Sequence, residues 1–329
     1  MNARLSEGPC LFAPGTGQAF GAAVAHLLRQ PLAALEERDF EDGEHKLRPL
    51  ESVRDRDVYL LQSFYRDWRH SPNDKLVRLL WLAGALRDAG AARITLVAPY
   101  LCYARKDRRS QPRDPVSLRY LAQIIEAIGI ARVVSCDVHN TAAFQNAFRI
   151  PTEDVSALSL FAPALAELVG PRAVVVVAPD SGGLLRAEAL RGRLERVLGR
   201  PVARAIMEKR RSGGIVSGDH LAGEVADRVA VLLDDLISTG TTLDRAARAC
   251  RAHGASAVYA CATHGLFAAN AAGIFAAMPL DGLVITDTVS GVEAPTLLGP
   301  RLQRLSAAPL VAAAIRRLHE GRSLHELLD

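Results

Sequence analysis

The stretch VLLDDLISTGTT, residues 231–242, decides the fold, because it joins an apolar strand to a helix through a polar loop. The strand ends in two adjacent acids, Asp234 and Asp235. Two neighbouring carboxylates repel each other unless hydroxyls, cations or water satisfy them. In open α/β folds, ligands bind at the carboxyl ends of the parallel strands, which is where this strand delivers its acids. The stretch therefore predicts an α/β fold with a binding site at this edge of a sheet.

The loop STGTT opens the helical pattern TTLDRAARACRAHG, so its hydroxyls and backbone N–H groups can surround an anion at a helix N-terminus. Carboxylates can accept hydrogen bonds from the vicinal hydroxyls of a sugar. Together these features predict a ribose-phosphate site, formed by Asp234, Asp235, Ser238, Thr239, Gly240, Thr241 and Thr242. The alternative is an ordinary helix N-cap at Ser238 or Thr239, which leaves the two acids unexplained.

Strand-like and helix-like segments alternate along the rest of the chain. The strand-like runs are DVYLLQS, RITLVAPY, RVVSCDVH, AVVVVAPD, VAVLLDD, AVYACATH and GLVITDT. The helical patterns between them include NDKLVRLLWLAGALRDAG, PVSLRYLAQIIEAIG and GLLRAEALRGRLERVLG, and each ends in glycine, a common helix stop. Continuous apolar strands alternating with amphipathic helices predict parallel sheets covered on both faces.

Two segments of the chain repeat one pattern. RDAGAARITLVAPY, from Arg87, aligns without gaps with RAHGASAVYACATH, from Arg251. We interpret the match as a duplicated α/β unit. Before the first helix stands QSFYRDWRHSPND, so only the second copy has the phosphate-type loop. We predict domains at 1–152 and 153–302, followed by a tail at 303–329 that packs back on the body.

Composition excludes several classes of protein. The 329 residues carry a formal net charge of only +4, which gives no support to a nucleic-acid or membrane-surface partner. Apolar runs fall short of the roughly 20 residues that span a bilayer. The first residues lack the basic and apolar regions of a secretory signal, and the five cysteines form no CxxC pair. We expect reduced, mostly buried thiols in a cytoplasmic protein.

At this point a family resemblance becomes specific. DDLISTGTT resembles the ribose-phosphate loop shared by type I phosphoribosyltransferases and ribose-phosphate pyrophosphokinases, also called PRPP synthetases. Further segments resemble the pyrophosphokinases in the order of that family: DFEDGE, APYLCYARKDRRSQPRDPVS, SCDVHN, APDSGG, EKRR, THG at 263–265 and ITDT at 285–288. The resemblance implies two duplicated phosphoribosyltransferase-like domains, each a mainly parallel sheet flanked by helices.

The resemblance also assigns roles to residues in the first half of the chain. The adenine of ATP would contact Phe40, Asp42 and Glu44, typically across a subunit boundary. The ATP loop would comprise Arg105, Lys106, Asp107 and Arg108. This family usually has Gln where Lys106 stands, so the lysine could add phosphate contacts or alter nucleotide preference. His139 would bind ATP phosphate or Mg²⁺.

In the second half, the resemblance makes Asp180 a second Mg²⁺-associated carboxylate. Lys209 and Arg211 would close over the reacting phosphates from a catalytic arm. Ser238 departs from the family, which usually has Asp there, so a related sugar phosphate stays open as the acceptor.

The implied reaction converts ATP and ribose 5-phosphate to AMP and 5-phosphoribosyl 1-diphosphate, with Mg²⁺ as cofactor. Family members are usually hexamers or other homo-oligomers, so the resemblance implies a homo-oligomer built from dimer units, since a shared adenine site requires at least a dimer. Three alternatives stay open. They are a phosphoribosyltransferase that consumes the diphosphate, a non-catalytic regulatory subunit of the same family, and the same chemistry on a related sugar phosphate.

Overall fold

The computed structural model describes residues 8–212, 215–268, 270–290, 292 and 294–327. These residues form two compact units. The first contains 8–156, 288–290 and 307–327, and the second contains the described residues of 157–287 and 292–306. The chain thus passes between units four residues after the predicted boundary, and the predicted tail is divided between the two units.

The first unit is built on a five-stranded, fully parallel sheet with the strand order β1-β4-β5-β6-β7. A separate antiparallel hairpin, β2–β3, precedes β4. The strands are β1 (Cys10–Phe12), β2 (Leu35–Asp39), β3 (His45–Pro49), β4 (Asp57–Leu61), β5 (Arg93–Ala98), β6 (Arg132–Cys136) and β7 (Thr152–Val155). The helices are α1 (Gln18–Leu28), α2 (Pro72–Asp88), α3 (Ser117–Ala127) and α4 (Thr141–Ala147), joined near the C-terminus by α9 (Ala308–His319).

The second unit has a seven-stranded sheet with the order β10-β9-β8-β11-β12-β13-β14, in which only the β9–β10 pair is antiparallel. The strands are β8 (Val174–Ala178), β9 (Ala203–Ser212), β10 (Ile215–Ala222), β11 (Val229–Ile237), β12 (Ala257–Gly265), β13 (Gly282–Thr286) and β14 (Leu302–Leu305). The helices are α5 (Leu158–Val169), α6 (Leu184–Leu198), α7 (Thr241–Ala252) and α8 (Ala271–Ala277).

The cores follow from the apolar patterns of the sequence. All five residues of β4 and all five of β8 are buried, as expected for central strands covered on both faces. On α3 the buried residues Leu118, Leu121 and Ile125 recur at helical spacing and form one stripe. None of the helices in the described ranges is long and apolar enough to cross a membrane. The predicted α/β class with mainly parallel sheets is confirmed.

The two units share details of backbone geometry as well as strand order. Asp55 and Asp227 both adopt the left-handed conformation, with φ of 59°. The amide of Asp55 donates to the carbonyl of Gly90 at 2.8 Å, and the amide of Asp227 donates to that of Gly254 at 2.9 Å. Both units also run strand, helix, hairpin, strand, helix, strand from their first sheet strand. The duplication predicted from the sequence is therefore confirmed.

The predicted state of the cysteines agrees with the structure. All five, Cys10, Cys102, Cys136, Cys250 and Cys261, are buried and free of disulfides. Burial raises the pKa of the Cys102 thiol to about 12, which makes it a poor nucleophile at neutral pH.

Candidate active site

The acid pair lies at the carboxyl end of β11, as the sequence predicts. Asp235 is only 3% exposed, and its amide donates to Asp234 Oδ1 at 2.9 Å. Arg186 Nη1 lies 3.5 Å from Asp235 Oδ1. Burial, with a hydrogen bond and charge from the neighbouring Asp235 carboxyl, raises the pKa of Asp234 to about 8, although the Arg186 charge opposes the rise. The pair therefore retains a proton near neutral pH in the free protein.

The loop after β11 leads directly into the first turn of α7. Gly240 is the N-cap of α7, with φ of 89°, and so offers no capping side chain of its own. A Cβ at Gly240 would lie 2.7 Å from Phe275 Cε2, so only glycine fits there. The Thr239 and Thr241 hydroxyl oxygens are 2.9 Å apart. The Thr241 amide donates to Thr239 Oγ1 at a long 3.4 Å, so an anion at the amino end of α7 would compete with a weak contact and meet two hydroxyls.

The alternative prediction of an N-cap at Ser238 or Thr239 is wrong, because the N-cap residue of α7 is Gly240. Ser238 instead accepts a hydrogen bond at its backbone carbonyl from the amide of Ala268, at 2.8 Å. Ser238, Thr239 and Thr242 are each partly exposed, and Thr241 is exposed. The hydroxyls are therefore accessible to a ligand.

Asp180 lies in a loop beside the end of β11. Its Oδ1 accepts a hydrogen bond at 3.0 Å from the amide of Gly183, the last residue of the short 3₁₀ segment Ser181–Gly183. A Cβ at Gly183 would be 3.9 Å from the carbonyl oxygen of Leu233, the residue before the acid pair. The fold thus brings the Asp180 loop to the same sheet edge as the acid pair.

In the first unit, the predicted ATP loop and His139 come together. Asn140 Nδ2 donates to Asp107 Oδ2 at 2.8 Å, which ties the loop to the residue next to His139. Arg105, Arg108 and His139 are exposed to solvent. This exposure leaves two guanidinium groups and an imidazole accessible to a polyphosphate.

Lys106 is engaged within its own loop. Its Nζ lies 2.7 Å from Asp114 Oδ2, and that oxygen also accepts hydrogen bonds from the amides of Ser110 and Gln111. The hydrogen bond from Lys106, followed by those from the two amides, lowers the pKa of Asp114. The lysine therefore closes the loop in the free protein.

The predicted adenine turn joins β2 to β3. The amide of Phe40 donates to the carbonyl of Glu44 at 2.9 Å, and the Arg38 guanidinium lies 5.0 Å from the centre of the Phe40 ring. Asp42 and Glu44 are exposed. Within the described part of the chain, the turn makes no hydrogen bond or ion pair with residues 105–108. The structure does not join these two predicted parts of the ATP site.

The predicted catalytic arm maps to the β9–β10 hairpin. Lys209 and Arg211 lie on β9, opposite Asp219 and Val216 of β10. The side chains of residues 209–219 lie outside what the structure describes, so the arm is placed by its backbone alone.

Two supporting residues escaped the sequence interpretation. Asp154 on β7 accepts hydrogen bonds from the amide of Val138 at 3.0 Å and from the Thr141 hydroxyl at 2.6 Å, and so holds the segment that carries His139. Nothing in its short strand distinguishes this acid beforehand. Arg186, which contacts Asp235, could have been noticed in the sequence. It is a cation in the first turn of a helix, where the macrodipole disfavours positive charge.

The residues predicted to hold Mg²⁺ can be tested against the donors present. Across the described residues, no group of three or more His, Cys, Asp or Glu side chains could hold a metal ion. Mg²⁺ takes oxygen ligands and usually keeps several waters, with one or two carboxylates from the protein. The partly exposed carboxylate of Asp180 fits such a role, and exposed His139 offers a ring nitrogen.

The chain matches two sequence profiles. Residues 10–129 match the N-terminal domain of ribose phosphate pyrophosphokinase, and residues 217–329 match the phosphoribosyl synthetase-associated domain.

Relatives and a solved structure resemble the chain over nearly its whole length. A ribose-phosphate pyrophosphokinase of Granulibacter bethesdensis is 37% identical over 93% of this chain and 96% of the relative. That of Caulobacter vibrioides is 36% identical over 97% of this chain and 99% of the relative. The crystal structure of phosphoribosylpyrophosphate synthetase from Mycobacterium smegmatis superposes with a TM-score of 0.83 at 32% identity, covering 96% of this chain and all of that one.

Proposed function

The chain belongs to the ribose-phosphate pyrophosphokinase family, and we propose that it transfers the pyrophosphoryl group of ATP to ribose 5-phosphate. The O1 hydroxyl of the sugar attacks the β-phosphorus of ATP in line. A bond forms between O1 and the β-phosphorus, and the bond from that phosphorus to the oxygen shared with the α-phosphate breaks. AMP leaves with the bridging oxygen, and the O1 proton is released. The observation that carries the proposal is the acid pair Asp234–Asp235, of which Asp235 is buried, beside a helix whose N-cap is glycine.

In this proposal the second unit binds ribose 5-phosphate. Asp234 and Asp235 accept hydrogen bonds from the O2 and O3 hydroxyls. The 5-phosphate binds at the amino end of α7, where the amides carry partial positive charge and Thr239 and Thr241 supply hydroxyl donors. The remaining contacts come from Ser238, Gly240 and Thr242. The absence of a carboxylate at position 238 removes a like charge from the surroundings of the phosphate dianion.

The first unit supplies contacts to ATP. Arg105 and Arg108 neutralise the polyphosphate, and Asp107 keeps the loop attached beside His139 through Asn140. Lys106 orders this loop through Asp114. Phe40, Asp42 and Glu44 contact the adenine, within an assembly of at least two copies of the chain.

Lys209 and Arg211 stabilise the transition state in this proposal. Phosphoryl-type transfer spreads negative charge over the equatorial oxygens, and positioned cations lower its barrier. Asp180 in the second unit and His139 in the first would each offer a ligand to Mg²⁺, which would neutralise phosphate charge when bound. We place the enzyme in the cytoplasm as a homo-oligomer.

One assay tests the reaction. The purified protein is incubated with ATP, Mg²⁺ and ribose 5-phosphate, and AMP and 5-phosphoribosyl 1-diphosphate are quantified together. We expect equal amounts of the two products. Failure to form AMP with any divalent ion would refute the reaction and favour a regulatory subunit. Turnover only with another sugar phosphate would favour the substrate alternative.

A matched pair of variants tests the proposed ribose site. Asp235→Asn removes a charged acceptor, and we expect the KM for ribose 5-phosphate to rise by about tenfold or more, as for loss of a hydrogen bond to a charged group. Ser63→Ala is the control, because Ser63 follows β4 at the place that corresponds to Asp235. Ser63 accepts a hydrogen bond from the Tyr100 amide at 3.1 Å. Its loss should leave that KM unchanged. Equal effects of the two variants on KM would contradict the assignment.

A further inference from the structure

We infer that Arg186 is a positioning residue for ribose recognition, because its guanidinium holds Asp235 in place to accept hydrogen bonds from the sugar. The inference rests on the proposed function of the acid pair. Arg186 would act through Asp235, without touching the reacting atoms.

The contact between the two residues is largely sheltered from water. The side chain of Arg186 is 17% exposed and that of Asp235 is 5% exposed, with Nη1 and Oδ1 3.5 Å apart. A charge attraction is screened less at such a site than on the surface. The guanidinium can therefore fix the position of the carboxylate and favour its ionised form.

The position of Arg186 in its helix is unfavourable by itself. It is the third residue of α6, and the first turn of this helix contains no acid. The positive end of the helix macrodipole repels a cation there. The attraction of the buried acid pair supplies the compensating interaction.

In the first unit, the residues that correspond to Arg186 and the acid pair are uncharged. Its short 3₁₀ segment Gly15–Gly17 precedes α1 as Ser181–Gly183 precedes α6, so Phe20 occupies the place of Arg186. A Cβ at Gly17 would lie 3.2 Å from the carbonyl of Leu61, the last residue of β4. The corresponding contact in the second unit joins Gly183 to Leu233.

The residues that follow Leu61 are Gln62 and Ser63, at the places of Asp234 and Asp235. A small cavity in the first unit is lined by Gly17, Phe20, Gln62 and Ser63, among others. The unit that lacks the acids therefore also lacks the arginine. Because both units share the scaffold, this paired difference indicates that Arg186 supports the acids and is not required by the scaffold.

Several charged or titratable groups lie on the elements around the acid pair. They are Asp180 on the loop after β8, Arg186 on α6, Asp244 with its partner Arg248 on α7, and His264 on β12. Asp234 is opposite Ala262 in the sheet, and Leu236 is opposite His264. Of these groups, Arg186 makes the ion pair with Asp235.

The consequence is a dependence of sugar binding on pH. When the acid pair holds a proton, it presents one acceptor fewer to the sugar hydroxyls, so affinity should rise as pH rises through the apparent pKa of the pair. Burial and the neighbouring carboxyl raise the pKa of Asp234, and Arg186 lowers it. Removing the guanidinium should move the inflection to higher pH.

The experiment measures ribose 5-phosphate binding by calorimetry without ATP, between pH 6 and 9, for Arg186→Gln, Arg186→Lys and a control. The control is Arg191→Gln, which removes an arginine of the same helix that pairs with Glu188 and Glu195. For Arg186→Gln we expect about tenfold weaker binding at pH 7 and an inflection about one pH unit higher. Arg186→Lys should keep part of the wild-type affinity, and Arg191→Gln should match the wild type.

An unchanged inflection in Arg186→Gln would overturn the inference, even if its unfolding temperature fell, since a merely structural role predicts that result. If Arg186→Gln fails to fold, the same inflection is read from Arg186→Met, which also removes the charge and keeps an unbranched side chain. Carboxyl infrared bands of the ligand-free protein report the protonation of the pair independently. Binding of the sugar without formation of diphosphate would refute the proposed reaction and not this inference.

Discussion

The two units contain the same strand-to-helix corner, and only one has the features of a phosphate site. The first corner, residues 57–75, runs from β4 into α2, and the second corner, residues 229–244, runs from β11 into α7. At the first corner, Ser71 and Asp74 cap α2 with reciprocal hydrogen bonds. At the second corner the N-cap is Gly240, which has no side chain, and the Thr241 amide makes a long 3.4 Å contact with Thr239 Oγ1. One scaffold therefore gives either a capped structural turn or the proposed phosphate site, depending on a few loop residues.

The first corner is also filled by its own charges. Lys75 is 3% exposed and its Nζ lies 2.8 Å from an oxygen of fully buried Asp67. The same ammonium lies 3.6 Å from the centre of the Tyr65 ring. A cation is thus held by a carboxylate within the protein, whereas the second corner leaves helix amides for a ligand.

The largest expected difference in kcat is between substitutions in the two hairpins that precede the corners, β9–β10 in the second unit and β2–β3 in the first. Lys209→Ala in the β9–β10 hairpin should lower kcat by about 10³-fold or more, since it removes a cation from the transition state. The unfolding temperature should stay near that of the wild type. Steady-state kinetics and calorimetry measure the two quantities. Lys46→Ala in the β2–β3 hairpin, which breaks a surface pair with Glu36, is the control and should retain activity. Near-normal turnover of Lys209→Ala would remove this residue from the mechanism.

Asp67→Asn tests whether the first corner is structural. Breaking a buried ion pair at one partner should lower the free energy of unfolding by about 3–5 kcal/mol, measured in urea at pH 7. The KM for ribose 5-phosphate should not change. The exposed acid Asp88, changed to Asn, serves as the control and should have little effect on stability. A large change in the KM of folded Asp67→Asn would contradict the division of roles.

The same acid predicts how stability depends on pH. Burial of Asp67 opposes ionisation, but hydrogen bonds from Lys75, Thr16 and two backbone amides outweigh it and hold its pKa below the usual range. The stabilisation is therefore present at neutral pH and is lost as pH falls below about 4, through the depressed pKa. Urea unfolding at several pH values should show this loss in the wild type and a weaker one in Asp67→Asn. Equal slopes in the two proteins would be evidence against the ion pair.

Substitutions at the two helix starts should separate ligand binding from capping. Gly240→Ala forces a Cβ against Phe275 and a left-handed conformation that costs about 1–2 kcal/mol. We expect about a tenfold rise in the KM for ribose 5-phosphate as the start of α7 shifts. Ser71→Ala should lower stability by about 1 kcal/mol and leave that KM unchanged. The corners would not differ in function if both variants changed KM equally.

The smallest effect is expected in the ATP loop. Lys106→Gln breaks a partly exposed pair with Asp114, and we expect the KM for ATP to change by no more than about fivefold. Asp114→Asn breaks the same pair and should have a similar effect. If Lys106→Gln were far more damaging than Asp114→Asn, the lysine would contact phosphate directly.

Much of the fold could be predicted because it depends on local patterns in the sequence. Continuous apolar runs marked the central strands, and glycines such as Gly90 and Gly254 marked the helix ends. The acid pair could be placed because adjacent carboxylates after an apolar strand have few structural explanations. The order of the motifs along the chain then indicated the family.

Contacts between distant residues could not be predicted in the same way. The Asp67–Lys75 pair and the Asp154 hydrogen bonds depend on which surfaces meet after folding, and neither leaves a local pattern. The last strand was placed in a tail, although β14 pairs with β13 in the second unit, because four residues carry little periodicity. Arg186 is an intermediate case. Its unfavourable place in the first turn of a helix could be recognised in the sequence, whereas its contact with Asp235 could not.

Hydrogen exchange tests the central claim most directly, because it reports on both corners in one sample. Ribose 5-phosphate is added to the protein without ATP, and amide exchange is followed by mass spectrometry. We predict slower exchange at residues 239–244 and no change at residues 62–72. Slowing at 62–72 without slowing at 239–244 would contradict the assignment of the sugar phosphate to the second unit.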